Sequence, residues 1–172
     1  MKIELRPYTE KEYHQFFQGY VADPLMEPIP FVYNRESVSR SYQYNYFHRD
    51  HYAHFGIFNE QQEPLGCFQL KRMDEEKRRC EFGIILQNDR VKDQGIGTQA
   101  ILQGMEIART RYNMTRIMGD TSSRNLRMKH IFEKLGFRLI ETVPNAFMLD
   151  YNLPGDRLVY EKDLTGENAD KE

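Results

Sequence analysis

The sequence predicts an α/β fold: a mixed, mostly antiparallel sheet of about seven strands with about four helices. Three observations lead there. Between Ala53 and Leu86, three apolar stretches (Ala53 to Asn59, Pro64 to Met73, Lys77 to Leu86) are separated only by the short polar turns Glu60-Gln61-Gln62-Glu63 and Asp74-Glu75-Glu76, as in an antiparallel meander. From Cys80 to Phe137 the chain reads strand, polar loop, Gly-x-Gly, long helix, strand, polar turn and second helix, a crossover that suits one parallel pairing. Two closing strands follow, Phe137 to Val143 and Arg157 to Leu164, joined through a loop containing Pro144 and Pro154.

Taken in order, Ile3-Glu4-Leu5-Arg6 alternates as a strand does, and Thr9-Glu10-Lys11-Glu12 matches a capping box ahead of the stripe Tyr13, Phe16, Phe17 and Tyr20. Ala22 to Tyr33 contains Pro24, Pro28 and Pro30, which rules out a continuous helix and makes this loop a candidate lid. Val38, Tyr42 and Tyr46 recur every fourth residue and predict a helix over Arg35 to Phe47. In the crossover unit, Ile101, Met105, Ala108 and Tyr112 form one stripe. Met128, Ile131, Phe132 and Leu135 form another, on a helix from about Asn125 that Gly136 closes. Residues 1–165 are expected to form one domain, and the polar residues 166–172 a frayed tail.

Composition narrows the function. The chain has 172 residues, 40% of them hydrophobic and 29% charged, with a formal net charge of −2, so no basic field argues for a nucleic-acid partner. No apolar run reaches the ~18 residues of a membrane span, and the N-terminus lacks the apolar core of a signal peptide, which suits a soluble, cytoplasmic protein. Two cysteines, Cys67 and Cys80, are too few for a disulfide framework and are expected as buried thiols, although their strands make a bridge conceivable. The histidines at 48, 51 and 54 lack ligand spacing, and no metal is expected.

The chemistry concentrates after the strand Glu81-Phe82-Gly83-Ile84-Ile85-Leu86. Gln94-Gly95-Ile96-Gly97-Thr98 opens a helix; Gly95 and Gly97 let the backbone adopt positive φ and approach an anion closely, while the first-turn N–H groups lack intrahelical partners. Such a turn cradles a phosphate. Lys92-Asp93-Gln94-Gly95-Ile96-Gly97 resembles the Arg/Gln-x-x-Gly-x-Gly/Ala loop of the GNAT superfamily of acyl-CoA-dependent N-acyltransferases. Asn125 followed by Glu133-Lys134-Leu135-Gly136-Phe137 resembles that superfamily's second segment, and Ile3 to Pro7 its opening strand. Within the superfamily the chain looks most like the ribosomal-protein N-terminal acetyltransferases and related small-molecule enzymes.

That resemblance implies a GNAT-like fold and acetyl-CoA as co-substrate, held by the backbone of Gln94, Gly95, Ile96, Gly97 and Thr98, and by Lys92 unless it is a solvated surface lysine. Asn125 can both cap its helix and contact the pantetheine arm. Arg124, Arg127, Lys129 and Lys134 read as a solvated helix face, the alternative being that one of them reaches the adenosine 3′-phosphate. It implies direct attack of a primary amine, from a small molecule or a peptide N-terminus, on the thioester. Ile84, Ile85 and Leu86 would form the thioester strand, with the N–H of Ile85 or Leu86 facing the oxyanion. Glu81, on one strand face with Gly83 and Ile85, is the candidate base, its alternative being an ion pair with Lys71 or Arg72. Many relatives carry a Tyr where this chain has Phe132, whose ring is expected to line the channel without a proton to give. Ser122, Ser123 or water could protonate the thiolate, or no acid is needed; Met128 replaces a frequent Ser. The acceptor groove would border the aromatics and histidines from Tyr33 to His54, and a homodimer stays open. Two other classes compete: a non-catalytic acyl-CoA-binding module, given Phe132, and a nicotinamide-dependent oxidoreductase, given Gly-x-Gly-x-x-Ala and Asp120.

Overall fold

The computed structural model describes residues 1–148 and 154–166. β1 (Glu4–Arg6) leads into α1 (Glu10–Gln18), whose capping box closes reciprocally: the Glu12 N–H donates to Thr9 Oγ1 at 3.2 Å and the Thr9 N–H donates to Glu12 Oε1 at 3.0 Å. α2 (Arg35–Gln43) starts on Asn34, whose Oδ1 accepts the Ser37 N–H. It is shorter than its periodicity suggested, because the chain widens into a π-helical turn at Tyr44–His48. The turn seats the Tyr46 hydroxyl between the Tyr8 N–H at 2.9 Å and His54 Nδ1 at 2.8 Å.

The remaining elements are β2 (Ala53–Phe58), β3 (Pro64–Asp74), β4 (Arg79–Leu86), α3 (Ile96–Thr110), β5 (Arg116–Ser122), α4 (Leu126–Lys134), β6 (Arg138–Met148) and β7 (Pro154–Asp163). Among the described residues the strands form one seven-stranded sheet in the order β1-β2-β3-β4-β5-β7-β6. Neighbours are antiparallel except β4 and β5. The mixed α/β architecture expected from the sequence is therefore present, and the parallel doubly wound sheet of a nicotinamide-dependent oxidoreductase is not.

The final hairpin departs from expectation. Pro144 and Pro154 lie inside strands and not in the loop assigned to them: Pro144 falls where the β6–β7 register shifts between Val143 and Phe147, and Pro154 is the first residue of β7. An edge strand with an irregular register tolerates the missing N–H. The tail expected at 166–172 lies outside the described residues, apart from its first residue.

Each face of the sheet carries its own core. On one, Phe68, Leu70 and Phe82 pack with Ile101 and Ala108 of α3 and with Phe132 of α4. α3 sits very close: a Cβ on Gly104 would fall 2.1 Å from the Phe68 ring, which is fully buried and stacked on Phe82 at 5.8 Å. On the other, Tyr8, Tyr13, Phe16 and Val38 pack with Phe58 and Cys67. Cys67 and Cys80 belong to opposite cores and are free buried thiols; burial pushes Cys80 up to about 12 and Cys67 higher, so neither is a ready thiolate. Among the described residues no helix is long and apolar enough to cross a membrane.

One ion pair ties β1 to α1 and has a pH signature. Arg6 Nη2 donates to Glu12 Oε2 at 2.7 Å, and the Arg6 hydrogen bond foremost holds the Glu12 carboxyl down at about 2. The folded value lies below the unfolded one, so this stabilisation is present above the ordinary carboxylate range and is lost as pH falls through about 2. Gln keeps the capping oxygen without the charge. Urea titrations should show Glu12→Gln less stable than wild type at pH 7, with the difference shrinking from about pH 5 downward; a pH-independent difference would assign the loss to packing.

Candidate active site

β4 and β5 pair over only three registers, Arg79↔Arg116, Cys80↔Ile117 and Glu81↔Met118. Beyond them β4 stays with β3 as far as Leu86↔Gly66, and β5 stays with β7 as far as Ser122↔Arg157. The strands part, and a crevice of about 260 Å³ opens between them. Gly97, Ile101 and Ile131 line it from the α3–α4 side of the sheet and Met26, Gln69 and Lys71 from the other, so it runs through the sheet. Ile84, Ile85 and Leu86 all line it, at the strand end where β4 has no β5 partner.

At one end stands the start of α3. Gly95 is its N-cap, left-handed at φ 75°, with no side-chain cap, and the Gln99 N–H is bonded back to Gly95 O at 3.1 Å. The N–H groups of Ile96, Gly97 and Thr98 thus precede the helical hydrogen-bond ladder. Gly97 differs from expectation: it lies within the helix, without the positive φ of Gly95. Its contribution is space, since a Cβ there would meet nothing nearer than Ile131 Cδ1 at 3.7 Å, and one on Gly95 nothing within 4 Å. A cradle that side chains would fill, edged by N–H donors and a helix dipole, fits a pyrophosphate. Gln94 folds its side chain back, Nε2 donating to Arg90 O at 2.6 Å.

Lys92 is held in an ion pair instead of projecting freely. Its ammonium, 12% exposed, sits 3.3 Å from Asp23 Oδ2 and 3.1 Å from Asp89 Oδ1. Asp23 comes from the loop after α1, and Met26 of that loop accepts the Thr121 hydroxyl at 3.5 Å, so the segment read as a lid forms part of the crevice wall. Of the four basic residues around α4, Arg127 alone is among the lining, with its guanidinium 2.8 Å from Asp93. Asn125 caps α4 by accepting the Met128 N–H at 3.1 Å. With its oxygen engaged in the cap, Asn125 also lines the crevice, and its amide N–H groups are the donors it has left.

Glu81 does share its face with Gly83 and Ile85, but it is not among the lining residues. Its carboxylate is gripped by Arg72, whose Nη1 lies 3.2 Å from Oε1 and 3.3 Å from Oε2. Phe132 is also displaced from expectation. Its ring is fully buried, stacked on Tyr160 at 4.3 Å and packed on Phe82 and Phe137; Met128 and Ile131 supply the α4 lining in its place. Sequence reasoning missed Gln69 and Asp23, named Lys71 only as a partner for Glu81 and Asp120 only as a ribose acid, and missed the Asp120–Arg157 pair, closed at 2.7 Å. Strand alternation across the meander already placed residues 69 and 71 on the face of Gly83, which was the available signal. His54 and His14 are structural: burial holds His54 neutral, down at about 3, and His14 bridges Tyr33 at 2.7 Å and Ser39 at 2.9 Å. Among the described residues no His, Cys, Asp and Glu side chains group as a metal site.

Comparison with known proteins gives one family. The family model described as acetyltransferase (GNAT) domain matches residues 2–138. No curated protein matches the chain. Among solved structures, a chimera of the spermidine N-acetyltransferase SpeG from Vibrio cholerae and hSSAT superposes with a TM-score of 0.83 at 17% identity, covering 95% of this chain and 96% of that one. Mutant forms of the spermidine/spermine N-acetyltransferase SpeG from Vibrio cholerae give 0.80 at 15% identity, covering 99% and 100%. A dodecameric structure of the Vibrio cholerae enzyme in an intermediate state gives 0.74 at 16%, covering 94% and 93%. These likenesses reach the superfamily and not the ribosomal-protein branch.

The position of Phe132 has a measurable consequence. Its Cζ would lie 2.9 Å from a Cβ on Gly119, so the ring tip abuts β5 inside the core. Phe132→Tyr should place a hydroxyl there without a partner and cost about 1–3 kcal/mol in denaturant unfolding. A variant as stable as wild type would show that the ring can turn toward the crevice.

Proposed function

The chain belongs to the GNAT acetyltransferase family, and from that premise we propose that it acetylates a primary amine of a small molecule or a peptide N-terminus by direct attack on acetyl-CoA in the β4–β5 crevice. The observation that carries this reading is the coincidence of two features: β4 loses its β5 partner beyond Glu81, and the uncapped first turn of α3 opens onto the same space. Acetyl-CoA supplies an activated acetyl thioester. The Ile96, Gly97 and Thr98 N–H groups receive its pyrophosphate, with Arg127 nearby, and Asn125 donates from its amide to the pantetheine arm. The N–H of Ile85 or Leu86, whichever of these neighbours points away from β3, faces the developing oxyanion.

An amine attacks only when neutral, and a lysine-like ammonium has a pKa of ~10.4. Glu81 takes the proton lost by the nitrogen as the C–N bond forms, through water, because its carboxylate stands behind the lining residues in the grip of Arg72. The C–S bond breaks and the thiol leaves as thiolate. With a pKa near the ~8.5 of a cysteine, it departs without a dedicated acid, in keeping with a Phe at position 132. The similar solved structures are named as spermidine N-acetyltransferases, so a polyamine is one acceptor to test beside amino acids and peptides.

Two measurements test this. Calorimetry should find acetyl-CoA bound and NADH not. Gly97→Glu, which fills the cradle and puts a carboxylate beside the pyrophosphate, should abolish acetyl-CoA binding with circular dichroism unchanged. Binding that survives would place the cradle elsewhere. For the base, Glu81→Gln should lower kcat/KM by ~10²–10⁴-fold near neutral pH, with the deficit closing as pH approaches the amine pKa. An unchanged rate would leave Glu81 as the partner of Arg72 and nothing more.

A further inference from the structure

Five charged side chains line the crevice: Asp23, Lys71, Lys92, Asp120 and Arg127. Four are matched by opposite charges. Asp23 pairs with Lys92 at 3.3 Å, Asp120 with Arg157 at 2.7 Å and Arg127 with Asp93 at 2.8 Å. Among the described residues Lys71 alone of the five has no ion pair, although Glu81 stands directly across from it in the β3–β4 register. The cause is local. Register shifts between Lys71 and Asp74, with Arg72 at φ 50°, and this bulge swings Arg72 round to occupy Glu81. Bulges re-aim side chains in this way.

A second donor lies on the same strand face as Lys71. Gln69, two residues back on the same face, accepts the Tyr52 hydroxyl on Oε1 at 2.9 Å, which turns its amide nitrogen outward. That nitrogen lies over Gly83, 3.5 Å from where a Cβ would be, and both Gln69 and Gly83 line the crevice. One uncompensated cation and one amide donor, two residues apart on a strand, make a receptor for a carboxylate. The same arrangement disfavours a polycation, because both crevice acids, Asp23 and Asp120, are already engaged and the remaining charge is positive.

We propose that the acceptor is an amine that also carries a carboxylate, received by the Lys71 ammonium and the Gln69 amide on β3. This rests on the acetyl-transfer reading above. The cation has a second effect: it favours the neutral form of an amine held nearby, which is the nucleophilic form.

The test measures CoA release from acetyl-CoA with matched acceptors: free amino acids against their amides, tripeptides with Glu against Gln at the second position, and a polyamine. Wild type should prefer the carboxylate member of at least one pair by about tenfold or more, the size of one charge-assisted hydrogen bond. Whether the amino-acid or the peptide pair responds identifies the source of the carboxylate. Lys71→Met should erase the preference by raising KM for that member, Lys71→Arg should keep most of it, and acetyl-CoA affinity by calorimetry should be the same in all three. Amides or the polyamine used as well as the acids by wild type, or a preference that survives Lys71→Met, would overturn the inference and leave acetyl transfer standing. Failure to bind acetyl-CoA, or turnover of no amine at all, would overturn both.

Discussion

Everything at this site depends on β4 and β5 ceasing to pair. A sheet ordinarily satisfies each strand's N–H and C=O groups with its neighbour, and an interior pair that separates leaves those groups to find other partners. Here the separation begins after Glu81↔Met118, in the middle of a seven-stranded sheet. Each strand is held firmly on its far side, β4 by β3 and β5 by β7, so the gap cannot simply close. Helix packing fixes what faces it. α3 is drawn onto Phe68 at Gly104, which brings its uncapped first turn to the rim, and α4 supplies Met128 and Ile131.

The loop after α1 completes the enclosure from the other side. Asp23 binds Lys92 just ahead of the α3 cradle, and Met26 rests on Thr121 of β5, so this segment touches the elements on both banks of the gap. Lys92 thus holds a wall in place while still lining the crevice. The crevice charges are thereby largely internal to the fold, and this is why a single unmatched one, at Lys71, stands out.

Much of this was legible in the sequence where the cause is local. The Thr9–Glu12 box, the meander and the left-handed Gly95 before a helix each depend on residues a few positions apart, and each appears as read. What failed depends on distant partners. Pro144 and Pro154 signal a loop only if β6 is not an irregular edge, which the strand order decides. Gly97 looked like a second left-handed residue because local sequence cannot say where the first helical turn begins. Phe132 occupies a position that carries a hydroxyl in many relatives, yet which side of α4 meets the crevice is set by how the helix settles against Phe82 and Tyr160. The charge pattern was least accessible, since Asp23, which joins Asp89 on Lys92, and Arg157, which holds Asp120, lie 69 and 37 residues from those partners.

The strand order also bears on how the chain is made. β7 lies between β5 and β6, so the last described strand is inserted into the interior of the sheet. A nascent chain emerges N-terminus first, at ~5–20 residues per second. Until residues 154–163 leave the ribosome, β5 has only its three pairings with β4, and its other edge is bare. The crevice then has one rigid bank. Binding competence is therefore acquired only once β7 has emerged, and a chain stalled before β7 would display an unpaired strand to its neighbours in place of a ligand site.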